Sequence, residues 1–118
     1  MTCNRVISND IDPVKTAYMR HNSKIYGTEA KTIESTQDYL QFQTNIEEID
    51  VVFLSPPWGG TDYTQGEYSI FEKVTPDIRK ILEVSFNLSK NVIFLLGRNT
   101  SLHEIVQLFV EYFDKYQM

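Results

Sequence analysis

Residues 51–54 read Val-Val-Phe-Leu and are followed directly by Ser55-Pro56-Pro57. A short apolar run without polar alternation is typical of a strand that is buried on both faces of a parallel sheet. The prolines end the strand because they lack an N–H group and fix their own φ angles. Burial on both faces requires helices on both sides of the sheet, so this feature predicts an α/β fold.

The rest of the chain supplies the alternating elements that such a fold needs. We expect strands at Arg5–Ser8, Thr32–Ser35, Val51–Leu54 and Val92–Leu96. We expect helices at Pro13–Tyr26, at Tyr39–Asn45, from Thr75-Pro76 through Phe86 and from Ser101 through Tyr116, with an irregular segment at Thr61–Lys73. Strand and helix alternate along the whole chain, which predicts a doubly wound, mostly parallel sheet.

Helix ends are marked by specific residues. Asp12 is expected to be an N-cap in front of Pro13, and Gly27 is a natural C-terminal stop for the same helix. Ser101 and Glu104 have the spacing of a capping box, in which each side chain binds the other residue's N–H group.

Composition restricts the classes of function. The 118 residues are 42% hydrophobic and 23% charged, as expected for one soluble globular domain spanning residues 1–118. With Cys3 as the single cysteine there is no internal disulfide, and no apolar run is long enough to cross a bilayer. The net charge of −5 argues against broad binding to nucleic-acid backbones, but it permits recognition of one nucleotide in a small pocket.

Unusual polar clusters coincide with the carboxyl ends of the predicted strands. Ligands of doubly wound sheets bind beyond these ends. The clusters are Asp10-Ile11-Asp12, Asp38, Ser55–Gly60 and Arg98-Asn99. The coincidence predicts one ligand site at this edge of the sheet.

The Ser55-Pro56-Pro57-Trp58 turn favours chemistry on an amine. An amine that receives a methyl group must point its lone pair at that group, so two fixed oxygens have to accept its hydrogens. The carbonyls of Ser55 and Pro56 can do this, and Trp58 offers a flat face for a base. The ordinary alternative is a proline turn with a core tryptophan, but the adjacent Gly59-Gly60 permits close backbone approach and favours a nucleotide site.

Several blocks together resemble the trimethylguanosine synthase family. They are Asn9-Asp10-Ile11-Asp12-Pro13-Val14-Lys15, Asn22…Tyr26-Gly27, the run from Asp50 through Gly60, and Arg98-Asn99. The similarity extends from about Val6 to at least Asn99. The Ser-Pro-Pro-Trp-Gly-Gly block is its most specific part, whereas the acidic block before Pro13 is shared with many related methyltransferases.

The resemblance implies a Rossmann-like class I methyltransferase fold with S-adenosylmethionine as cofactor and capped RNA as partner. Its implied reaction converts the 7-methylguanosine cap of small nuclear and nucleolar RNAs to the trimethylated form by methylating the exocyclic amine. The expected location is the nucleus, including a nucleolar or Cajal-body-like compartment, and otherwise the cytoplasm. Neither a metal nor a membrane is expected, and His21 and His103 have no partner ligands at metal spacing.

The resemblance implies cofactor-binding residues directly after the first, second and third predicted strands. Asp10 would hold the ribose hydroxyls, with Ile11 beside it, and Ser55 would border the methyl group. Asp38 would contact the adenine amine, although Gln37-Asp38-Tyr39 stands where the family generally has Gly-Asp-Phe. A turn residue is the ordinary alternative for Asp38.

The cap residues implied by the resemblance follow the third and fourth strands. Ser55, Pro56 and Trp58 would form the catalytic turn. Trp58 would stack on the guanine, whose methylation makes it cationic, and a cation over an indole gains roughly 0.5–2 kcal/mol. Tyr63 and Arg98 would contact the cap phosphates, and Asn99 would assist as a donor or cap the turn.

Two features of the family pattern are absent from the sequence. No strand with a glycine-rich cofactor loop precedes Val6, and the family's last strands have no counterpart. In the family the first strand lies between the strands represented by Arg5–Ser8 and Val51–Leu54. We expect a truncated piece that is inactive by itself. The alternative is a cap-binding remnant without catalytic activity.

A second enzyme class shares the Pro-Pro turn. Methyltransferases acting on the amine of adenine or glutamine usually carry Asn or Asp before the prolines and Tyr or Phe after them. Ser55 and Trp58 occupy these positions here, which favours the cap substrate.

Overall fold

The computed structural model describes residues 3–57 and 66–116, without the side chains of 113–116. The chain divides into two compact units, the first ending at Thr44 and the second beginning at Asn45. Each unit contains one two-stranded parallel sheet. Within the described residues no helix is long and apolar enough to cross a membrane.

The first unit is built around one helix and two strands. Its elements are β1 (Val6–Asp10), α1 (Pro13–Ile25), β2 (Thr32–Thr36) and a 3-10 helix (Tyr39–Gln41). The strands pair in parallel, with Val6 opposite Thr32 and Asp10 opposite Thr36. Both strands therefore end at the same edge of their sheet.

Helix α1 begins and ends where the sequence predicts. The Asp12 carboxylate accepts a hydrogen bond of 2.9 Å from the Val14 N–H group, and Pro13 occupies the first helical position. At the other end Tyr26 is the C-cap and Gly27 has a φ of 69°, a left-handed conformation that glycine adopts without a steric penalty. Both capping predictions are confirmed.

Hydroxyl groups hold α1 against the sheet. The buried Thr16 places its Oγ1 2.8 Å from Oγ1 of Thr36, and Ser23, two turns further along, donates to Glu34 Oε1 at 3.1 Å. Each of these buried hydroxyls also bonds to a carbonyl of α1 itself, that of Pro13 for Thr16 and that of Arg20 for Ser23. The exposed large apolar side chains of this helix are Val14, Tyr18 and Ile25.

The second unit contains the remaining strands and helices. They are β3 (Val52–Leu54), α2 (Ile70–Lys73), α3 (Ile78–Leu88), β4 (Val92–Phe94) and α4 (Leu102–Tyr116). Strands β3 and β4 pair in parallel, with Val52 opposite Val92 and Leu54 opposite Phe94. Together with the first unit, this confirms an α/β fold with parallel strands.

Helix α3 supplies much of the core of the second unit. Its buried face comprises Ile78, Ile81, Leu82 and Ser85, the positions predicted from helical spacing. Phe86 is half-buried and its ring lies 6.2 Å from the ring of Tyr112 on α4. The other buried apolar residues of this unit are Leu54, Tyr68, Ile70 and Val74.

The prediction that β3 is buried on both faces is wrong for this chain, and β4 is exposed in the same way. Phe53 and Ile93 are register partners, and they are 61% and 54% exposed. An apolar run shows only that no polar residue interrupts the strand. It does not tell whether other elements cover one face of the strand or both faces. The described strands also form two separate pairs and not the single continuous sheet that the alternation predicts.

Three helix predictions differ from the structure. Asp77, not Thr75 or Pro76, caps α3, since its carboxylate accepts a 2.9 Å hydrogen bond from the Arg79 N–H group. Helix α2 lies in the segment that was expected to be irregular. The helix expected at Tyr39–Asn45 is only the 3-10 helix Tyr39–Gln41, because the backbone becomes extended at its C-cap, Phe42.

Candidate functional site

The carboxyl ends of β1 and β2 bring Asp10 and Asp38 to one edge of their sheet. Asp10 is the last residue of β1, and its carbonyl accepts a 3.2 Å hydrogen bond from the N–H group of Gln37, which directly precedes Asp38. A second bond of 3.1 Å runs from Nδ2 of Asn9 to the Gln37 carbonyl. The sequence correctly placed both acidic residues at this edge.

The Asp10 carboxylate is partly occupied. One oxygen accepts a 2.9 Å hydrogen bond from the N–H group of Asp12, and the other accepts none from a described residue. Ile11, between them, is 67% exposed. Asp12 itself serves as the cap of α1.

The Asp38 carboxylate is occupied in the same way. Asp38 is exposed and caps the 3-10 helix, with Oδ1 accepting a 3.0 Å hydrogen bond from the Leu40 N–H group. Its second oxygen accepts none from a described residue. Two carboxylates with one available oxygen each suit a ligand that offers hydroxyl and amine hydrogens, as an adenosyl group does.

Gln37 is a further residue of this edge, and the sequence did not single out its side chain. Its side-chain amide accepts a 2.9 Å hydrogen bond from the Gln43 N–H group and donates to the Gln43 carbonyl at 3.0 Å. The same amide donates to Ser35 Oγ at 2.8 Å. The sequence signal was the departure from the family's Gly-Asp-Phe pattern, but nothing in the sequence indicated the partners.

The turn after β3 presents carbonyl groups that have no described partner. The Leu54 carbonyl is engaged by the N–H group of Leu95 at 2.9 Å. In contrast, the carbonyls of Ser55 and Pro56 accept no hydrogen bond from residues 3–57 or 66–116. Ser55 is exposed and Pro56 is half-buried. Trp58 and Tyr63 lie outside the described residues, so their predicted roles remain predictions.

Arg98 and Asn99 lie beyond the carboxyl end of β4 and differ in their contacts. Arg98 is exposed and forms no ion pair with a described residue. Asn99 donates from Nδ2 to the Gly66 carbonyl at 3.0 Å, and its own carbonyl accepts a 2.8 Å bond from the Tyr68 N–H group. Of the two predicted roles of Asn99, these bonds favour the one in which it holds the turn.

Tyr68 connects the turn after β4 to the core of the second unit. It forms a parallel bridge with Thr100, and its carbonyl accepts a 2.9 Å hydrogen bond from the Ser101 N–H group. The residue is only 4% exposed, and desolvation raises the pKa of its phenol above the ordinary value of 10.0. Arg98 and Asn99 therefore follow β4 on a backbone that is anchored on both sides.

Comparison with known proteins decides the family. The model of the RNA cap guanine-N2 methyltransferase family matches residues 1–117. The chain belongs to this family. A trimethylguanosine synthase of Schizosaccharomyces pombe is 32% identical over 108 residues, covering 85% of this chain and 44% of that protein. A trimethylguanosine synthase of Saccharomyces cerevisiae is 41% identical over 58 residues, covering 48% of this chain and 18% of that protein.

Membership of the cap guanine-N2 methyltransferase family confirms the resemblance read from the sequence. Parallel strands joined by helices fit the Rossmann-like fold that the resemblance implies. The chain spans less than half of the length of the two curated relatives.

Proposed function

We propose that this chain contributes to methyl transfer from S-adenosylmethionine to the exocyclic amine of a 7-methylguanosine RNA cap. The observation that carries the proposal is the turn after β3, where the carbonyls of Ser55 and Pro56 have no described hydrogen-bond donor. Family membership over residues 1–117 supports the same reaction. Two fixed acceptors suit an amine that must donate both hydrogens while its lone pair faces the methyl group.

Asp10 and Asp38 are the residues proposed to hold the cofactor. When bound, S-adenosylmethionine supplies an electrophilic methyl group. The available oxygen of Asp10 would accept from the ribose hydroxyls, and that of Asp38 from the adenine amine. Ile11 is exposed next to Asp10 and would lie against the nucleoside. Ser55 would border the reacting end.

The substrate side of the proposal rests on Trp58, Tyr63 and Arg98. Trp58 would stack on the cationic methylated base, and Tyr63 with Arg98 would bind the cap phosphates. A guanidinium pairs two phosphate oxygens at once, and Arg98 is exposed without an acidic partner among the described residues. The chain's contribution to rate is then positioning and charge, with no covalent intermediate.

The substrate RNAs and the location follow from the same proposal. Both curated relatives are named trimethylguanosine synthase, which supports two methyl additions to one amine and a trimethylated product. Small nuclear and nucleolar RNAs are the proposed substrates, and the nucleus is the proposed location. The resemblance in the Ser-Pro-Pro-Trp-Gly-Gly block supports the substrates.

Methyl transfer to defined caps tests the proposal. Labelled S-adenosylmethionine is incubated with RNA that carries either a 7-methylguanosine cap or an unmethylated guanosine cap. The enzyme is this chain or a longer natural polypeptide that contains it. We expect the longer polypeptide to label only the methylated cap, at its exocyclic amine. Equal labelling of both caps, or labelling of neither, would contradict the proposal.

A further inference from the structure

The side chain of Gln37 and the main chain of Gln43 form a closed pairing, which we call the clasp. The amide oxygen of Gln37 accepts from the Gln43 N–H group at 2.9 Å, and its Nε2 donates to the Gln43 carbonyl at 3.0 Å. The second hydrogen of Nε2 is directed to Ser35 Oγ at 2.8 Å. Both donor hydrogens of the amide are therefore used, and Gln37 has one orientation that satisfies them.

The main chain of Gln37, at one end of the clasp, is hydrogen-bonded to β1. The Gln37 N–H group donates to the Asp10 carbonyl at 3.2 Å, and the Gln37 carbonyl accepts from Nδ2 of Asn9 at 3.1 Å. Gln37 thus links the last residues of β1 to the far end of the turn that carries Asp38. Its contacts reach both sides of that turn.

The turn inside the clasp leaves Asp38 little freedom. Its backbone is extended, its carbonyl accepts a 3.0 Å bond from the Gln41 N–H group, and its carboxylate is fixed by the Leu40 N–H group. At the end of the turn the Phe42 N–H group bonds to the Tyr39 carbonyl. Breaking the clasp would free residues on both sides of Asp38 together.

We propose that Gln37 is a positioning residue that holds the Asp38 carboxylate where it accepts the exocyclic amine of the cofactor's adenine. This inference rests on the proposed function, because it requires an adenosyl group at this edge of the sheet. Glycine at this position would have no side chain that could form these bonds, so the clasp depends on the Gln37 side chain itself.

The consequence is selectivity between adenine and hypoxanthine. Adenine offers an amine to the Asp38 carboxylate, whereas hypoxanthine offers a carbonyl oxygen, which a carboxylate cannot bind. A correctly held Asp38 therefore favours the adenine compound. A displaced Asp38 loses this preference even when the ribose contact at Asp10 remains.

Calorimetric binding of S-adenosylhomocysteine and S-inosylhomocysteine measures that preference directly, without turnover. The protein is the longer polypeptide used in the methyl-transfer assay. For Gln37→Ala we expect the ratio of the two affinities to fall roughly threefold to tenfold, the equivalent of one net hydrogen bond. Gln37→Glu keeps the acceptor for the Gln43 N–H group but loses both donors, and should lower the ratio as well. Asp38→Asn should lower it at least as far.

Gln43→Ala is the matched control. Both clasp bonds at this position use the main chain, so the substitution leaves them in place. We expect its affinity ratio to equal that of the unaltered protein. Amide hydrogen exchange at residue 43 should accelerate in Gln37→Ala and stay slow in Gln43→Ala, which checks the clasp itself.

The outcomes separate this inference from the proposed function. If the unaltered protein prefers the adenosyl compound and Asp38→Asn abolishes the preference, an unchanged ratio in both Gln37 variants overturns the positioning role and leaves the proposed function standing. An equal loss of both affinities in the Gln37 variants also overturns it, because a purely structural role would act on both ligands alike. Failure of the unaltered protein to bind S-adenosylhomocysteine overturns the cofactor assignment and this inference together.

Discussion

Ser69 and Glu104 are joined by a hydrogen bond of 2.6 Å between Oγ and Oε1, across 35 positions of the sequence. The second carboxylate oxygen of Glu104 accepts a 2.8 Å bond from the N–H group of Ile70. Ser69 also caps α2 through the Glu72 N–H group. One half-buried carboxylate on α4 therefore holds the beginning of α2, a helix too short to be stable by itself.

Replacing Glu104 should destabilise the second unit. Glu104→Ala removes two charge-assisted hydrogen bonds, so we expect the free energy of unfolding in urea to fall by about 1.5–3 kcal/mol. Glu83→Ala is the control, because Glu83 is exposed on α3 without a described partner. A double-mutant cycle with Ser69→Ala should give a coupling energy of about 0.5–3 kcal/mol. A coupling near zero would mean that the bond contributes nothing to stability.

Arg79 on α3 and Glu111 on α4 form a further link between helices of this unit. Nε and Nη2 of Arg79 each lie 2.9 Å from a different oxygen of Glu111, and the guanidinium lies 4.1 Å from the centre of the Phe71 ring. The hydrogen bonds from Arg79 lower the pKa of the Glu111 carboxyl below its ordinary 4.5. The same bonds raise the pKa of Arg79.

This ion pair predicts a pH-dependent contribution to stability. Because the pKa of Glu111 is lower in the folded state, its stabilisation is complete above the unfolded value of 4.5 and is lost as the pH falls through the folded value. Both side chains are substantially exposed, so Glu111→Gln should cost only about 0.2–1 kcal/mol at neutral pH. The difference in unfolding free energy should shrink below pH 4.5. Glu83→Gln, at an exposed position of α3, is measured in parallel as the reference variant.

The sequence predicted those features that depend on neighbouring residues. Asp12, Pro13 and Gly27 set the ends of α1, and the apolar spacing around Ile81 set the buried face of α3. Of the two hydrogen bonds in the predicted capping box, the structure contains one. Ser101 accepts from the Glu104 N–H group at 3.3 Å as predicted, but the Glu104 carboxylate bonds to Ser69 and Ile70 instead of returning to residue 101.

The contacts and exposures that the sequence did not predict have a common physical cause. The partners of Gln37 and of Glu104 are fixed by the path of the chain between elements, which no local pattern encodes. Exposure of Phe53 depends likewise on what covers that face of β3. In the candidate site the sequence predicted which strand ends carry Asp10 and Asp38, while their individual hydrogen bonds required the structure.

Asp10→Asn should weaken cofactor binding without disturbing α1. The amide oxygen of asparagine can still accept from the Asp12 N–H group, but the charge that strengthens a ribose contact is gone. We expect affinity for S-adenosylhomocysteine to fall roughly tenfold to a hundredfold, as for a hydrogen bond to a charged group. Asp12→Asn is the control, since asparagine caps a helix as well as aspartate does. Similar losses in both variants would show that Asp10 does not contact the ligand.

Arg98 variants separate geometry from charge at the proposed phosphate contact. Arg98→Lys keeps the charge but not the planar fork, so cap affinity should fall roughly threefold to tenfold with little change in its salt dependence. Arg98→Gln should also reduce the slope of log affinity against log salt by about 0.7, the value for one phosphate contact on a single strand. Arg5→Lys, at an exposed arginine before β1, is the control. Unchanged affinity in both Arg98 variants would remove Arg98 from the cap site.

Trp58→Ala should reduce discrimination between methylated and unmethylated caps. Only the 7-methylguanosine base carries a positive charge, and its attraction to an indole face amounts to roughly 0.5–2 kcal/mol, which is about twofold to thirtyfold in affinity. Fluorescence titration with both cap analogues should therefore show a larger loss for the methylated one. Trp58→Phe keeps an aromatic face with weaker attraction and should give an intermediate ratio. Equal losses for the two analogues in Trp58→Ala would mean that Trp58 supports the turn after β3 without stacking on the base.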